Sequence, residues 1–367
     1  MLEIYVERVP VMKALAKVEK GTCFQMIERP RPVPKPDEAL VRVDVVSICG
    51  TDLHLDQWDA WAEKRLIHLP RIIGHEFSGK VVALGAEATR FQVGDCVSSD
   101  SHIPCLNCGI CRKGAPHLCD RLKILGIDRD GCFAEYAAIP ARSLWKNDPA
   151  LKPEIASVQD PLGNAVYATL VEPVIAKTVA ILGDGPIGLF AAGVARASRA
   201  AKIMLSGLNP FTLDIAKKMG ADVLINAGEA DVAQRIRSET GGIGADVVLE
   251  MSGNPRAIRA GFEAIRKGGR FTAFGLTPAP VTLDWNNQVI FKGIRVYGIS
   301  GRKMFETWRQ MADLLRSGNL DPRPVITHVL DFEDFARGFQ MMEATPRQAA
   351  KVVLVVNPEL RHLIPAP

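Results

Sequence analysis

The sequence predicts an α/β protein: a β-rich domain into which a doubly wound parallel sheet is inserted. Three observations carry that expectation. Up to about residue 163, short apolar runs are bounded by Pro, Gly and Asp, the pattern of strands. From about 164 to 302, apolar runs alternate with helical periodicity, the succession that builds a parallel sheet. Four cysteines crowd into residues 105–119, a stretch too poor in apolar side chains to fold on a core of its own. A chain of 367 residues exceeds one ordinary core. The expected organisation is residues 1–163, then the inserted unit 164–302, then 303–367 returning to the first domain.

Taken in order, Ala39–Val46 and Gly79–Leu84 read as strands, residues 103–121 as a cysteine-rich lobe, and 131–145 as strand again. Val179–Leu182 is an apolar strand, followed by a glycine-rich turn and the helix Ile187–Ser198. Ile203–Leu205 and Pro210–Met219 repeat the strand and helix, and Asp246–Glu250 and Arg270–Gly275 continue the strands. Beyond 302 come a helix over Phe305–Ser317, a short strand around Thr327, a helix over Phe332–Glu343 and a last strand, Lys351–Val356. Trp285, Cys23, Cys96 and Cys132 read as core packing.

Composition excludes several function classes. With 47% hydrophobic and 23% charged residues the chain folds. Its net charge of +4 comes from scattered basic residues, so neither nucleic acid nor a membrane surface is an expected partner. Residues 1–11 hold two glutamates and no long apolar run, unlike a secretory leader. The most apolar region, 174–195, is broken by Lys177, Asp184, Gly185 and Pro186, so no membrane span is expected. The tight cysteine spacing suits metal ligands in a reducing cytoplasm better than disulfides.

Cys105, Cys108, Cys111 and Cys119 follow the pattern C-x2-C-x2-C-x7-C. Four thiolates complete a tetrahedral zinc and leave no open position, so this site staples a loop. An iron–sulfur cluster is the competing tenant. A second constellation is Cys49-Gly-Thr-Asp-Leu-His54 with Gly74-His-Glu76. Cys49 and His75 supply thiolate and imidazole, and Glu76 and Asp160 are candidate carboxylate ligands. A zinc with one open position acts as a Lewis acid on a substrate hydroxyl. Thr51 and His54 stand where a proton relay would run, against the plainer possibilities of a turn hydroxyl and a surface imidazole.

Gly183-Asp-Gly185-Pro186-Ile187-Gly188 lies between a strand and a helix, the context a G-x-G-x-x-G dinucleotide fingerprint of the Rossmann type requires. At the end of the next strand an acidic residue would hold the ribose of NAD. The sequence there reads Ser206-Gly207-Leu208-Asn209 and offers no carboxylate, so NAD or NADP is expected.

These motifs together resemble the medium-chain, zinc-dependent alcohol dehydrogenases, over about residues 12–356. Trp58-Asp-Ala-Trp61, Gly131-Cys-Phe-Ala-Glu-Tyr136, Asp160-Pro-Leu-Gly-Asn-Ala-Val166, Glu250-Met-Ser-Gly253 and Gly301-Arg-Lys-Met-Phe-Glu-Thr-Trp308 belong to the resemblance. The tryptophan pair and the segments from 160 and 304 are similar to its threonine-oxidising branch. The resemblance implies a GroES-like catalytic domain, a catalytic and a structural zinc per chain, and oxidation of the L-threonine 3-hydroxyl to L-2-amino-3-oxobutanoate. It further implies a histidine on the substrate side at His102 and a homotetramer. Polyol or other secondary-alcohol oxidation is the alternative within the class, and a non-catalytic cofactor-binding protein the alternative outside it. The sequence departs from the family pattern at Asp184, Gly207, Thr212 and Lys303, where the family commonly has Ala, an acid, Arg and an acid.

Overall fold

The computed structural model describes residues 10–21, 23–66 and 68–365, so most of the 1–11 extension lies outside the described residues. The first part is a seven-stranded sheet. Its path runs Leu144–Lys146, Cys96–Ser99, Phe77–Leu84, Glu38–Ser47, Lys351–Val355 and Ile326–Asp331, and Tyr136–Pro140 also pairs with Glu38–Ser47. The ten-residue strand Glu38–Ser47 is buried along almost its whole length because other strands cover it on both edges. Two strands from the end of the chain complete this sheet, so the C-terminal segment returns to the first part. Val353, Leu354 and Val355 pair antiparallel with Ser47, Val46 and Val45.

The second part is a six-stranded sheet: β1 Thr178–Leu182, β2 Lys202–Gly207, β3 Val223–Asn226, β4 Ala245–Glu250, β5 Ile265–Ala273 and β6 Arg295–Gly298. All pairs are parallel and the spatial order is β3-β2-β1-β4-β5-β6. This is the doubly wound Rossmann order, in which the strand sequence reverses beside β1 and opens a crevice at the carboxyl ends of the strands. β1, with sequence TVAIL and four buried residues, shows why the sequence forms this sheet: helices cover both faces, so the apolar run is continuous and not alternating. The crossover helices are α1 Pro186–Ala197, α2 Pro210–Lys218, α3 Val232–Glu239 and α4 Pro255–Ala264. Proline opens α1, α2 and α4 at positions where its missing N–H costs nothing.

The two parts share a core. Val45 and Val353 of the first sheet, Leu162 and Val166 of helix Gln159–Leu170, Ile181 and Leu205 of the second sheet, and Trp308 form one buried cluster. Helix Gln159–Leu170 spans the expected join at 163/164. The expected helix from Phe332 is divided into a 3-10 turn, Phe332–Asp334, and a helix, Phe335–Glu343. Trp285 and Cys23 are exposed, contrary to the core role expected of them, and Cys132 is buried. No helix among the described residues is long and apolar enough to cross a membrane.

Candidate active site

Strand pairing assembles the first cluster. Glu38–Ser47 runs antiparallel to Phe77–Leu84 with Val46 opposite Phe77, so the residues after one strand meet those before the other. Cys49, His75 and Glu76 thereby offer ligand atoms that all lie within 4.8 Å of one another. Cys49 also caps the helix Gly50–Gln57, and its backbone N–H donates to Asp52 Oδ2 at 2.9 Å. Asp52 is fully buried, and its Oδ1 stands 3.8 Å from His75 Nδ1. Burial pushes the Asp52 carboxyl up to about 6. For His75, burial opposes charge, but the Cys49 thiolate, Asp52 and Glu76 outweigh it and draw the imidazole up to about 10. Such a pocket, with buried anionic groups around one imidazole, calls for a cation. Glu76 Oε1 is buried without a hydrogen-bond partner among the described residues, so one more acceptor awaits it. Zinc fits: the donors are thiolate, imidazole and carboxylate, three in number, with a fourth position left for substrate.

The other oxygen of Glu76 is held from behind. Lys351, buried to 2% exposure, donates to Glu76 Oε2 at 2.6 Å and to the Ile48 carbonyl at 2.9 Å, and Ser47 Oγ donates to the same carboxylate oxygen. Nearby carboxylates and the Cys49 thiolate raise the Lys351 pKa against the opposing effect of burial.

Asp160 stands outside this trio. Its Oδ1 accepts from the Ser101 N–H at 2.9 Å and lies 2.5 Å from Arg302 Nη2, while its Oδ2 accepts from Arg302 Nη1 at 2.9 Å. Arg302, 1% exposed, also grips Asp100 through Nε and Nη2 at 3.0 Å each, Ser101 Oγ at 2.7 Å and Asn164 Oδ1 at 2.9 Å. Trp308 Nε1 donates to Asp100 Oδ2 at 2.9 Å. A Cβ at Gly163 would come within 2.9 Å of the Arg302 stem, so glycine there makes room for it. The segments 160–166 and 301–308, separate in sequence, are thus two sides of one buried polar cluster.

His102 packs its ring against Gly301, and its Nδ1 is buried without a partner among the described residues. Burial first, then the Arg302 charge, lowers its pKa to about 4, so the ring is neutral. His54 is more than half exposed and its Nδ1 lies 2.7 Å from Asp59 Oδ2. Thr51 is half-buried, and no hydrogen bond joins it to His54 among the described residues.

The four lobe cysteines converge, their sulfurs within 4.8 Å of one another. Cys119 Sγ lies 3.4 Å from Cys105 Sγ and 3.9 Å from Cys108 Sγ, too far for a disulfide. A tetrahedron with Zn–S bonds of about 2.3 Å sets its sulfurs about 3.8 Å apart, so the lobe fits zinc. An iron–sulfur cluster, with each thiolate on a different iron, holds them wider. Backbone N–H groups of Cys105 and Arg121 both donate to Cys119 Sγ, at 3.3 Å each.

At the second sheet, Gly183 follows β1 with φ +119°, a conformation only glycine adopts freely. A Cβ at Gly188 would lie 2.1 Å from the Gly183 carbonyl, so the turn closes only without one. Gly185 caps α1 with no side-chain bond, and a Cβ there would meet only Arg347 Nη1, at 4.0 Å. Amides at a helix N-terminus beside open space fit a pyrophosphate. Ser206 and Gly207 end β2, and Asn209 caps α2 through a bond from Phe211 N–H. Asp184 turns away from the pyrophosphate side: its Oδ2 accepts from the N–H groups of Leu208 and Asn209 at 3.1 Å each and from Thr212 Oγ1 at 2.6 Å.

Asp52, Asp100, Arg302 and Lys351 escaped the sequence reading. Asp52 left a signal, since it sits three residues after Cys49, where a capping carboxylate would stand, and Arg302 lay inside the segment 301–308 without a role of its own.

Residues 35–149 match the alcohol dehydrogenase GroES-like domain and residues 186–317 the zinc-binding dehydrogenase domain. The chain is 47% identical to an L-threonine 3-dehydrogenase of Bacillus velezensis, over 94% of this chain and 99% of that one. Among solved structures, an alcohol dehydrogenase of Escherichia coli complexed with NADH matches with a TM-score of 0.86 at 28% identity, covering 94% of this chain and 99% of that one. A zinc-binding dehydrogenase of Sinorhizobium meliloti bound to NADP matches with a TM-score of 0.87 at 28% identity, covering 95% and 100%. Both halves of the architecture and nearly the whole length of the sequence therefore place this chain in the zinc-dependent alcohol dehydrogenase family.

Proposed function

We propose that this chain oxidises the 3-hydroxyl of L-threonine to L-2-amino-3-oxobutanoate, with a nicotinamide dinucleotide as hydride acceptor. The convergence of Cys49, His75 and Glu76 within 4.8 Å carries the reading of a catalytic centre, and 47% identity to an L-threonine 3-dehydrogenase supports the substrate. Zinc, when bound there, supplies a Lewis acid that acidifies the substrate hydroxyl. Asp52 orients His75 and holds the Cys49 backbone, the supporting role a metal-ligating imidazole needs. Lys351 and Ser47 restrain one oxygen of Glu76 and leave Oε1 for the metal. Asp160, engaged by Arg302, takes the part of a positioning group for residues 100–102 in this arrangement. Thr51 and His54, which no hydrogen bond joins directly among the described residues, would pass the hydroxyl proton outward by way of the cofactor ribose, and the exposed His54 imidazole is steadied by Asp59. His102, neutral and buried, faces the substrate as a hydrogen-bonding group without charge.

A homotetramer in the cytoplasm fits this reading. β6 is an open, mostly exposed edge, flanked by exposed Leu276, Trp285, Ile290 and Phe291. Initial rates with L-threonine, sorbitol and 2,3-butanediol, each with NAD and NADP, test the substrate. L-threonine is expected to give the highest kcat/KM; oxidation of a polyol in its place would overturn the assignment. Metal analysis should return about two zincs per chain, and a single zinc would point to a protein that keeps the fold without catalysis.

A further inference from the structure

We propose that Asp184 reads the adenosine ribose in place of the carboxylate missing from the end of β2, and so makes this chain select NAD(H) over its 2′-phosphorylated form. The inference rests on the reading of Gly183–Gly188 as a dinucleotide turn. A Cβ built on Gly207 would stand 2.3 Å from Asp184 Cγ, 2.4 Å from its Cβ and 2.5 Å from its Oδ2. The Asp184 carboxyl group therefore fills the space that a side chain at 207 would enter. Glycine at 207 and aspartate at 184 belong together: the acid stands on the turn after β1, and its carboxyl group reaches the end of β2, at the place a side chain on residue 207 would begin.

The carboxylate is built in. Three donors hold Oδ2, namely the amides of Leu208 and Asn209 and the hydroxyl of Thr212. Oδ1 has no hydrogen bond among the described residues, and Asp184 is only half-buried. An unspent carboxylate oxygen at the end of β2 accepts from the two hydroxyls of a ribose, the task an acidic residue there performs. A 2′-phosphate at the same place would set two anions face to face, with its own hydroxyl donor gone. Arg347 borders the same turn: its Nη1 lies 4.0 Å from where a Cβ on Gly185 would stand, and its backbone carbonyl accepts from Asn209 Nδ2 at 3.0 Å.

The test is a pair of binding titrations on the zinc-loaded protein, NADH and NADPH, followed by nicotinamide fluorescence without substrate. The wild type is expected to bind NADH at least about tenfold tighter than NADPH, the worth of one charge-assisted hydrogen bond. Asp184→Asn, which keeps the size and an acceptor for the amides, should weaken NADH and bring the two Kd values toward equality. A double variant, Asp184→Gly with Gly207→Asp, returns the acid to β2 and should restore the preference. Equal affinities in the wild type, or an unaltered ratio in Asp184→Asn, would overturn the role of Asp184 while leaving the dinucleotide site intact. Failure of the wild type to bind either would remove the site and the proposal together.

Discussion

Arg302 carries a full charge inside the protein, and two carboxylates, Asp100 and Asp160, answer it. A buried pair of this kind adds little over an apolar filling, yet losing one partner is costly because the other charge stays behind unpaired. Arg302→Ala is therefore expected to destabilise by ~3–5 kcal/mol in denaturant unfolding, with Trp308→Phe costing about 1 kcal/mol through one lost bond to Asp100. His102 gives a pH prediction. Its folded pKa of about 4 lies below the ordinary 6.5, so the folded state holds its ring neutral while the unfolded chain takes up a proton. Its contribution is whole above pH 6.5 and is lost as pH falls from 6.5 toward 4. His102→Gln should flatten that part of the acid limb in melting temperature measured against pH. Of the cluster Cys49, His75 and Glu76, the thiol and imidazole were legible because their types announce metal chemistry, while the sequence offered both Glu76 and Asp160 as the carboxylate and only the fold groups Glu76 with them. Arg302 and Lys351 were not, since their partners lie 202 and 275 residues away and a lone basic residue reads as solvated surface.

At the scale of elements, the glycine turn and the cysteine lobe each fail in a distinct way. Gly188→Val should abolish dinucleotide binding, because the added side chain meets the Gly183 carbonyl, while zinc content stays unchanged. Cys108→Ser should remove one zinc of two and lower the melting temperature, because the lobe has almost no apolar packing to replace the metal. An equal zinc count in that variant would refute the lobe as a metal site. β1, β2 and β4 were readable, since helices cover both faces and the apolar run is unbroken. β3 and β6 were not: they sit at the two edges of the sheet, where β3 has only the short run Val223-Leu224-Ile225 and β6 has mostly exposed residues. The exchange between Asp184 and Gly207 was visible only as two unrelated departures, because adjacency across β1 and β2 is a property of the sheet.

On the scale of the whole molecule, one cluster of buried apolar residues joins both sheets. Five of the exposed apolar side chains, Leu276, Trp285, Ile290, Phe291 and Val296, lie on β6 or in the segment that leads to it. Val296→Lys combined with Phe291→Asp should lower the mass measured by light scattering to that of a smaller assembly, with threonine oxidation per chain changing less than the mass. An unaltered mass would move the contact elsewhere. The general architecture was legible because the change from strand-rich to alternating pattern is long and repeated, whereas the placement of the final strand against Glu38–Ser47 depends on pairing across the entire chain.

That pairing sets an order in time. Lys351 reaches back to Ile48 and Glu76, across 303 and 275 residues. A ribosome has therefore joined residues 48 through 351 before Glu76 acquires its ammonium. The cysteine lobe, complete by residue 119, is able to take its metal much earlier. A nascent chain interrupted before Lys351–Val355 would hold the four cysteines of the lobe but lack the ammonium that restrains Glu76.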